Sequence, residues 1–214
     1  AYDKYVGLQL MLMYAFGLRR EEAIQFRPHQ DQEDFYLRIR NGTKGGRERL
    51  VIIENTLQAE VLVEARSMTS YPSGHCGWPD MTLMQSIQHF QAIMRRFGIT
   101  KGALGITSHG LRHQRLNDMY EEIAGVPAPV RQLEALKQGL PLVEGEPDRV
   151  LKARSRTTST AGHARLGITT AYSGSARSVK QAIKKMSKEE FAERVRLVPA
   201  TEGPTTEDCE PESV

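Results

Sequence analysis

The sequence predicts an α+β fold that is mostly helical, with one small antiparallel β-sheet packed on a helical bundle. Long stretches carry apolar residues at helical spacing, and a single short run alternates as a strand does. That run is followed by turn residues and a second β-branched segment, the pattern of a hairpin.

The helical spacing is clearest at Tyr5, Leu8, Met11, Leu12, Ala15 and Phe16, which predicts a helix over residues 3–16 with one buried face. Gly17 interrupts it, and a short helix follows over residues 20–25. Phe35, Leu37 and Ile39 then alternate with Tyr36, Arg38 and Arg40, ahead of Asn41-Gly42 and Gly45-Gly46. The run at 50–53 completes the hairpin and sets Lys44 at or beside its turn. Residues 56–66 read as a helix, 67–79 as a loop rich in Ser, Pro and Gly. Asp80 is the expected N-cap of a helix reaching about Phe97, with Leu83, Ile87, Phe90 and Met94 as its stripe. Ser108 is the expected cap of a helix running from His109 to about Ala124. Four prolines break residues 125–148 into a loop holding one short helix at 130–137. Residues 149–156 read as helical, and a last segment runs from Gly162-His163 to Tyr172. Ser187 and Glu190 form a capping box for a terminal helix to about Arg196.

At 214 residues and 39% hydrophobic content the chain can bury one substantial core. No apolar run is long enough to cross a bilayer and no secretory signal is visible, so the expectation is a soluble, cytoplasmic protein. The chain starts at Ala1 and runs straight into an amphipathic pattern, which reads as a piece of a longer protein with a domain missing upstream. Cys76 and Cys209 make no disulfide framework and lack metal-ligand spacing. The net charge of +3 understates the body, because residues 199–214 hold five acids and no Lys or Arg. Without that tail, which reads as disordered, residues 1–198 carry +8, a balance suited to a polyanionic partner.

Six residues stand out in a fixed order: Arg19, Lys44, His109, Arg112, His163 and Tyr172. Two guanidinium groups, an ammonium, two imidazoles and a phenol suit attack on a phosphodiester without a metal or other cofactor. Arg clamps non-bridging oxygens, Lys and His move protons, and Tyr can form a covalent intermediate. Taken singly, each has an ordinary reading as an ion-pair partner, a turn residue or a packing aromatic. The spacing of His109 and Arg112 puts both on one helical face.

Read together, the residues resemble the catalytic domain of the tyrosine recombinases, the lambda-type phage integrase family. Gly17-Leu18-Arg19 with Glu22 is similar to its first box, where an acidic residue buttresses the first arginine. Lys44-Gly45-Gly46-Arg47-Glu48-Arg49 is similar to its hairpin lysine motif, and His109-Gly110-Leu111-Arg112-His113 to its second box. Gly162-His163 followed by Tyr172 is similar to its Gly-His box and nucleophile. The match spans residues 8–174, with two departures. His109 and His163 lie about twice as far apart as the family's usual spacing, the excess being an insertion around 125–148 that would loop out at the surface. Ala161 stands where Leu is common.

The resemblance implies a domain over 1–177, a C-terminal helical segment over 178–198 and the acidic tail beyond it. It implies a bacterial or phage-encoded integrase or site-specific recombinase of double-stranded DNA, assembling as a tetramer and independent of ATP and metal. The missing upstream domain would be a core-binding domain. Tyr172 would attack the scissile phosphate, giving a 3′-phosphotyrosyl link and a free 5′-hydroxyl. Arg19 and Arg112 would neutralise the non-bridging oxygens, and Lys44 would protonate the leaving 5′-oxygen. His163 would donate to the phosphate, and His109 would add helix N-terminal amides and position or deprotonate Tyr172. Val179, Ile183, Phe191 and Val195 would pack on a neighbouring protomer or in cis. The alternatives are a DNA-binding accessory factor without catalysis and a type IB topoisomerase-like strand transferase.

Overall fold

Helix α1 (Lys4–Phe16) begins where the Asp3 carboxylate accepts from the amides of Tyr5 and Val6, and ends at Gly17 in the left-handed conformation. The computed structural model describes residues 3–69, 74–163, 170–187, 189 and 195–197. Leu12 and Phe16 of α1 lie at the centre of the main core. Helix α2 (Arg20–Gln25) and the single turn α3 (Pro28–Asp31) follow, and the chain then enters an antiparallel sheet. Its strands are β1 (Gln32–Glu33), β2 (Tyr36–Ile39) and β3 (Arg49–Ile52), in that order. Strand β1 is an addition to the expected hairpin. The turn after β2 includes a short 3-10 segment, Lys44–Gly46, where the hairpin reading set Lys44.

Alternation decides which face of the sheet is covered. Leu37 and Ile39 of β2 and Val51 of β3 point into the core, whereas Leu50 and Ile52 point out. Helices α4 (Thr56–Met68) and α5 (Leu83–Arg96) complete that core through Val61, Leu62, Phe90 and Met94. Thr82, not Asp80, caps α5. Its hydroxyl accepts from the Gln85 amide and the Gln85 side chain accepts from the Thr82 amide, a reciprocal pair that Asp80 cannot make. Helix α6 (Ser108–Ala124), by contrast, starts one residue earlier than expected, because the Thr107 hydroxyl accepts from the Gly110 amide at 3.1 Å.

The stretch after α6 is the main departure from expectation. Helix α7 (Pro129–Lys137) is the short helix expected at 130–137, but the stretch also forms strand β4 (Leu142–Glu144) and packs where a loop at the surface was expected. Val126 and Ala128 join Tyr120, Ala124 and Ala153 in a second buried cluster. Helix α8 (Pro147–Thr160), longer at both ends than the helical run read at 149–156, lies against α6. After it come the single turn α9 (Thr170–Ser173), helix α10 (Ala176–Ile183) and strand β5 (Val195–Leu197). Strand β5 pairs with β4 in parallel, so the chain has a second small sheet beside the antiparallel one. Val195 and Arg196 therefore sit in a strand where a terminal helix was expected. Glu190, Phe191 and the acidic tail lie outside the described residues.

Phe16 is almost wholly enclosed. Its replacement by Ala should cost about 3–5 kcal/mol of folding free energy, read from urea unfolding curves.

Candidate functional site

Helix α1 stops at Gly17, and Leu18 plugs the core with no exposed surface. The next residue, Arg19, is thereby set at the entrance to α2. Glu22, one turn on, reaches back in two ways. One carboxylate oxygen accepts from the Arg19 amide at 2.7 Å and the other from the Arg19 guanidinium at 2.6 Å. The glutamate thus caps α2 and fixes the arginine with one side chain. The buttress implied by the resemblance is present.

Glu22 is fully buried and also pairs with Arg49, with Arg112 standing 3.9 Å away. Burial alone would raise its carboxyl pKa. The charge and hydrogen bond of Arg49, the Arg19 amide and the Arg19 charge outweigh that and hold it below its ordinary value.

Arg112 enters from α6 and has no exposed surface. Its guanidinium donates to the Gly17 carbonyl at the end of α1 and, at 2.7 Å, to the Ala161 carbonyl at the end of α8. Both acceptors sit at the negative end of a helix dipole, which is what makes so deep a cation tolerable. Arg19 donates to the same Ala161 oxygen at 3.0 Å. Arg49 donates at 2.7 Å to the neighbouring Thr160 carbonyl. Three guanidinium groups from three separate segments therefore close on one helix end and one carboxylate.

Gly162 and His163 follow at once. Gly162 has φ of +70°, and a Cβ there would stand 2.7 Å from Arg49 Cδ, so the residue must be glycine for the arginine to pass. His163 is half-buried beside this hub. His109, at the second position of α6, is exposed and meets His113 edge to face with ring centroids 4.6 Å apart. Partial desolvation first, and then the charges of Arg112 and Arg19, push the His109 pKa down. His113 is lowered by burial and by His109 and Arg112.

An open cavity of about 400 Å³ lies over this region, lined by Arg19, Arg20, Gly42, Thr43, Ser108 and His109 among others. The hairpin turn carrying Lys44 thus forms one wall, since Thr43 precedes it. Arg19 is 20% exposed on this side. Helix α9, with Tyr172 in its backbone, packs on α6 and α7. The side chains of Lys44 and Tyr172 lie outside the described residues. The structure therefore brings Arg19, Arg112, His109 and the Gly162-His163 turn together, and sets the backbone bearing Lys44 at the cavity rim.

Sequence reasoning singled out Glu22 but passed over Arg49 as part of a turn motif. The signal was available: Arg49 falls on the inward register of β3, in step with Val51, and a cation there needs a buried partner. Cys76 is the converse case, a buried thiol pushed up to about 12 mainly by burial, which leaves it inert. Among the described residues no group of three or more His, Cys, Asp or Glu is close enough to hold a metal ion, and no helix is long and apolar enough to cross a membrane.

Replacing Glu22 by Gln strands buried cations and should cost about 3–5 kcal/mol in denaturant unfolding. Its lowered pKa gives a stabilisation present above the ordinary value of 4.5 and lost as pH falls through the lower folded value. His109 should titrate below 6.5 by NMR. The unfolded chain takes up that proton first, so stability also falls as pH drops below 6.5.

A family model described as Integrase matches residues 1–118, more than half of the chain. No curated protein and no solved structure matches.

Proposed function

The chain belongs to the integrase family, and from that premise we propose that it is a site-specific recombinase that cuts and rejoins DNA through a phosphotyrosyl link at Tyr172. Family membership points to DNA integration or recombination; the chemistry at a tyrosine is the finer reading.

One observation carries it. Arg19 and Arg112, from the first and second boxes, aim donors at a single oxygen, that of Ala161, at 3.0 and 2.7 Å. Of the two, Arg19 lines the open cavity, where its partly exposed fork suits a non-bridging phosphate oxygen, while the enclosed Arg112 adds charge from behind and meets the phosphate only once its Gly17 and Ala161 contacts open. Three guanidinium groups share one carboxylate here, an excess of positive charge, and one of the three, Arg19, lines the open cavity. Excess cationic charge in a partly desolvated site favours the charge that builds on a phosphorane-like transition state.

In the proposed reaction the Tyr172 oxygen forms a bond to phosphorus as the bond from phosphorus to the 5′-oxygen breaks. The phenol proton passes to His109. That step needs a neutral imidazole, and partial desolvation with two nearby arginines favours one at pH 7. Lys44 gives a proton to the departing 5′-oxygen, and His163 donates to the phosphate. The ester keeps the bond energy, so attack by another 5′-hydroxyl reverses the chemistry on a new strand. Arg49 holds Glu22 and does not touch DNA.

A pool of nicked duplexes with randomised sequence around the nick tests this. Wild type should leave an adduct stable to SDS and Tyr172→Phe none, while Arg19→Ala should slow its formation by about a hundred- to a thousandfold. An adduct surviving in Tyr172→Phe, or none from wild type, overturns the reading. Relaxation of supercoils without junction products would favour a topoisomerase instead.

A further inference from the structure

Between α6 and the Tyr172 segment lies the stretch at 125–148, which lengthens the spacing between the two histidines and has no part in the chemistry above. It is tied to α6 at one end. Arg131 of α7 pairs with Glu121 at 2.5 Å and with Asp118 at 2.7 Å, and the Ala128 amide donates to Glu121 at 2.9 Å. Inside the stretch, the Gln132 side chain donates to the Val143 carbonyl at 2.9 Å, joining α7 to β4.

Its other face holds α10 and β5, the described elements that follow α9. Gly174 has φ of +79°, and a Cβ there would stand 2.8 Å from the Val130 nitrogen, so the chain leaving α9 lies directly on the first turn of α7. Val179 of α10 is buried with Leu136 and Leu142, and Leu133, Ala182, Ile183 and Met186 pack around them. Strand β5 then pairs with β4, Leu142 opposite Val195 and Glu144 opposite Leu197. Three independent contacts, namely close backbone approach, an apolar cluster and a strand ladder, converge on one short stretch.

We propose that residues 126–144 form a dock that ties the Tyr172-bearing arm to α6 within the same chain, with Arg131 as the positioning residue that anchors the dock. The helix presenting His109 and Arg112 and the helix carrying the proposed nucleophile are thereby joined through α7 as well as by the direct packing of α9 on α6. This rests on the proposed role of Tyr172. Arg131 contacts neither DNA nor a reacting group in this scheme, and acts only by fixing where α7 stands.

The full chain is compared with Arg131→Gln, which cuts the tie to α6, with Leu136→Asp, which puts a carboxylate against Val179, and with Arg131→Lys. Two measurements are made: amide hydrogen exchange over 170–183, and SDS-stable adduct formation on the randomised nicked duplexes alongside gel-shift affinity for the same DNA. Both disruptive variants should exchange at least about tenfold faster in the arm and form adduct at least about tenfold more slowly. DNA affinity should stay unchanged, and Arg131→Lys should recover most of the rate. Should Leu136→Asp fail to fold, Arg131→Gln decides, since that side chain is about one third exposed. Unchanged arm exchange, faster exchange with an unchanged adduct rate, or a rate that falls only in step with affinity overturns the dock. A wild type that forms no adduct defeats the Tyr172 reading, whereas a wild-type adduct with indifferent variants defeats the dock alone.

Discussion

The meeting of Glu22 and the C-terminal end of α8 with three arginines is the interaction on which the site depends. Like charges brought this close repel, and each guanidinium gives up much of its water. What holds them is a set of acceptors that cannot move: a carboxylate seated in the first turn of α2, and carbonyls at helix ends whose dipoles are already negative. Because Arg carries a rigid planar fork, the acceptors dictate where its remaining donors point. The same contacts join α1, α2, β3, α6 and α8. The site is thus also the keystone of the packing, and its geometry is no looser than the core.

Much of this was legible in the chain. The stripe from Tyr5 to Phe16, the break at Gly17 and the alternation at 35–39 have single physical readings, and the matching elements are present. Glu22 was legible through the family resemblance, whose first box sets an acid beside the first arginine, and the structure shows it capping α2 and pairing with Arg19 at once. Both cap assignments went astray locally. At 80–82 and 107–108 two candidates stood close together, and the choice turned on which hydroxyl met a free amide in the folded backbone.

Other features required knowledge that no window of sequence contains. Strands β4 and β5 are three residues each and far apart, and neither has a pattern that names the other. Arg49 was legible only once the register of β3 was known. The stretch at 125–148 looked loose because of its prolines and glycines. Pro129 and Pro147 in fact sit in the first turns of α7 and α8, where a missing amide costs nothing. The short helix inside the stretch was legible, but its packing against the rest of the fold was not.

The pairing of β4 with β5 has a consequence for how the molecule is made. During synthesis, residues 142–144 emerge well before 195–197, so the first of these strands must wait for its mate. The segments through α8 can collapse in the meantime, with the arginine hub already closed. The strand ladder that completes the arm after α9 is left to the end, and a nascent polypeptide paused short of residue 195 would own a finished hub and an arm held by its apolar cluster alone.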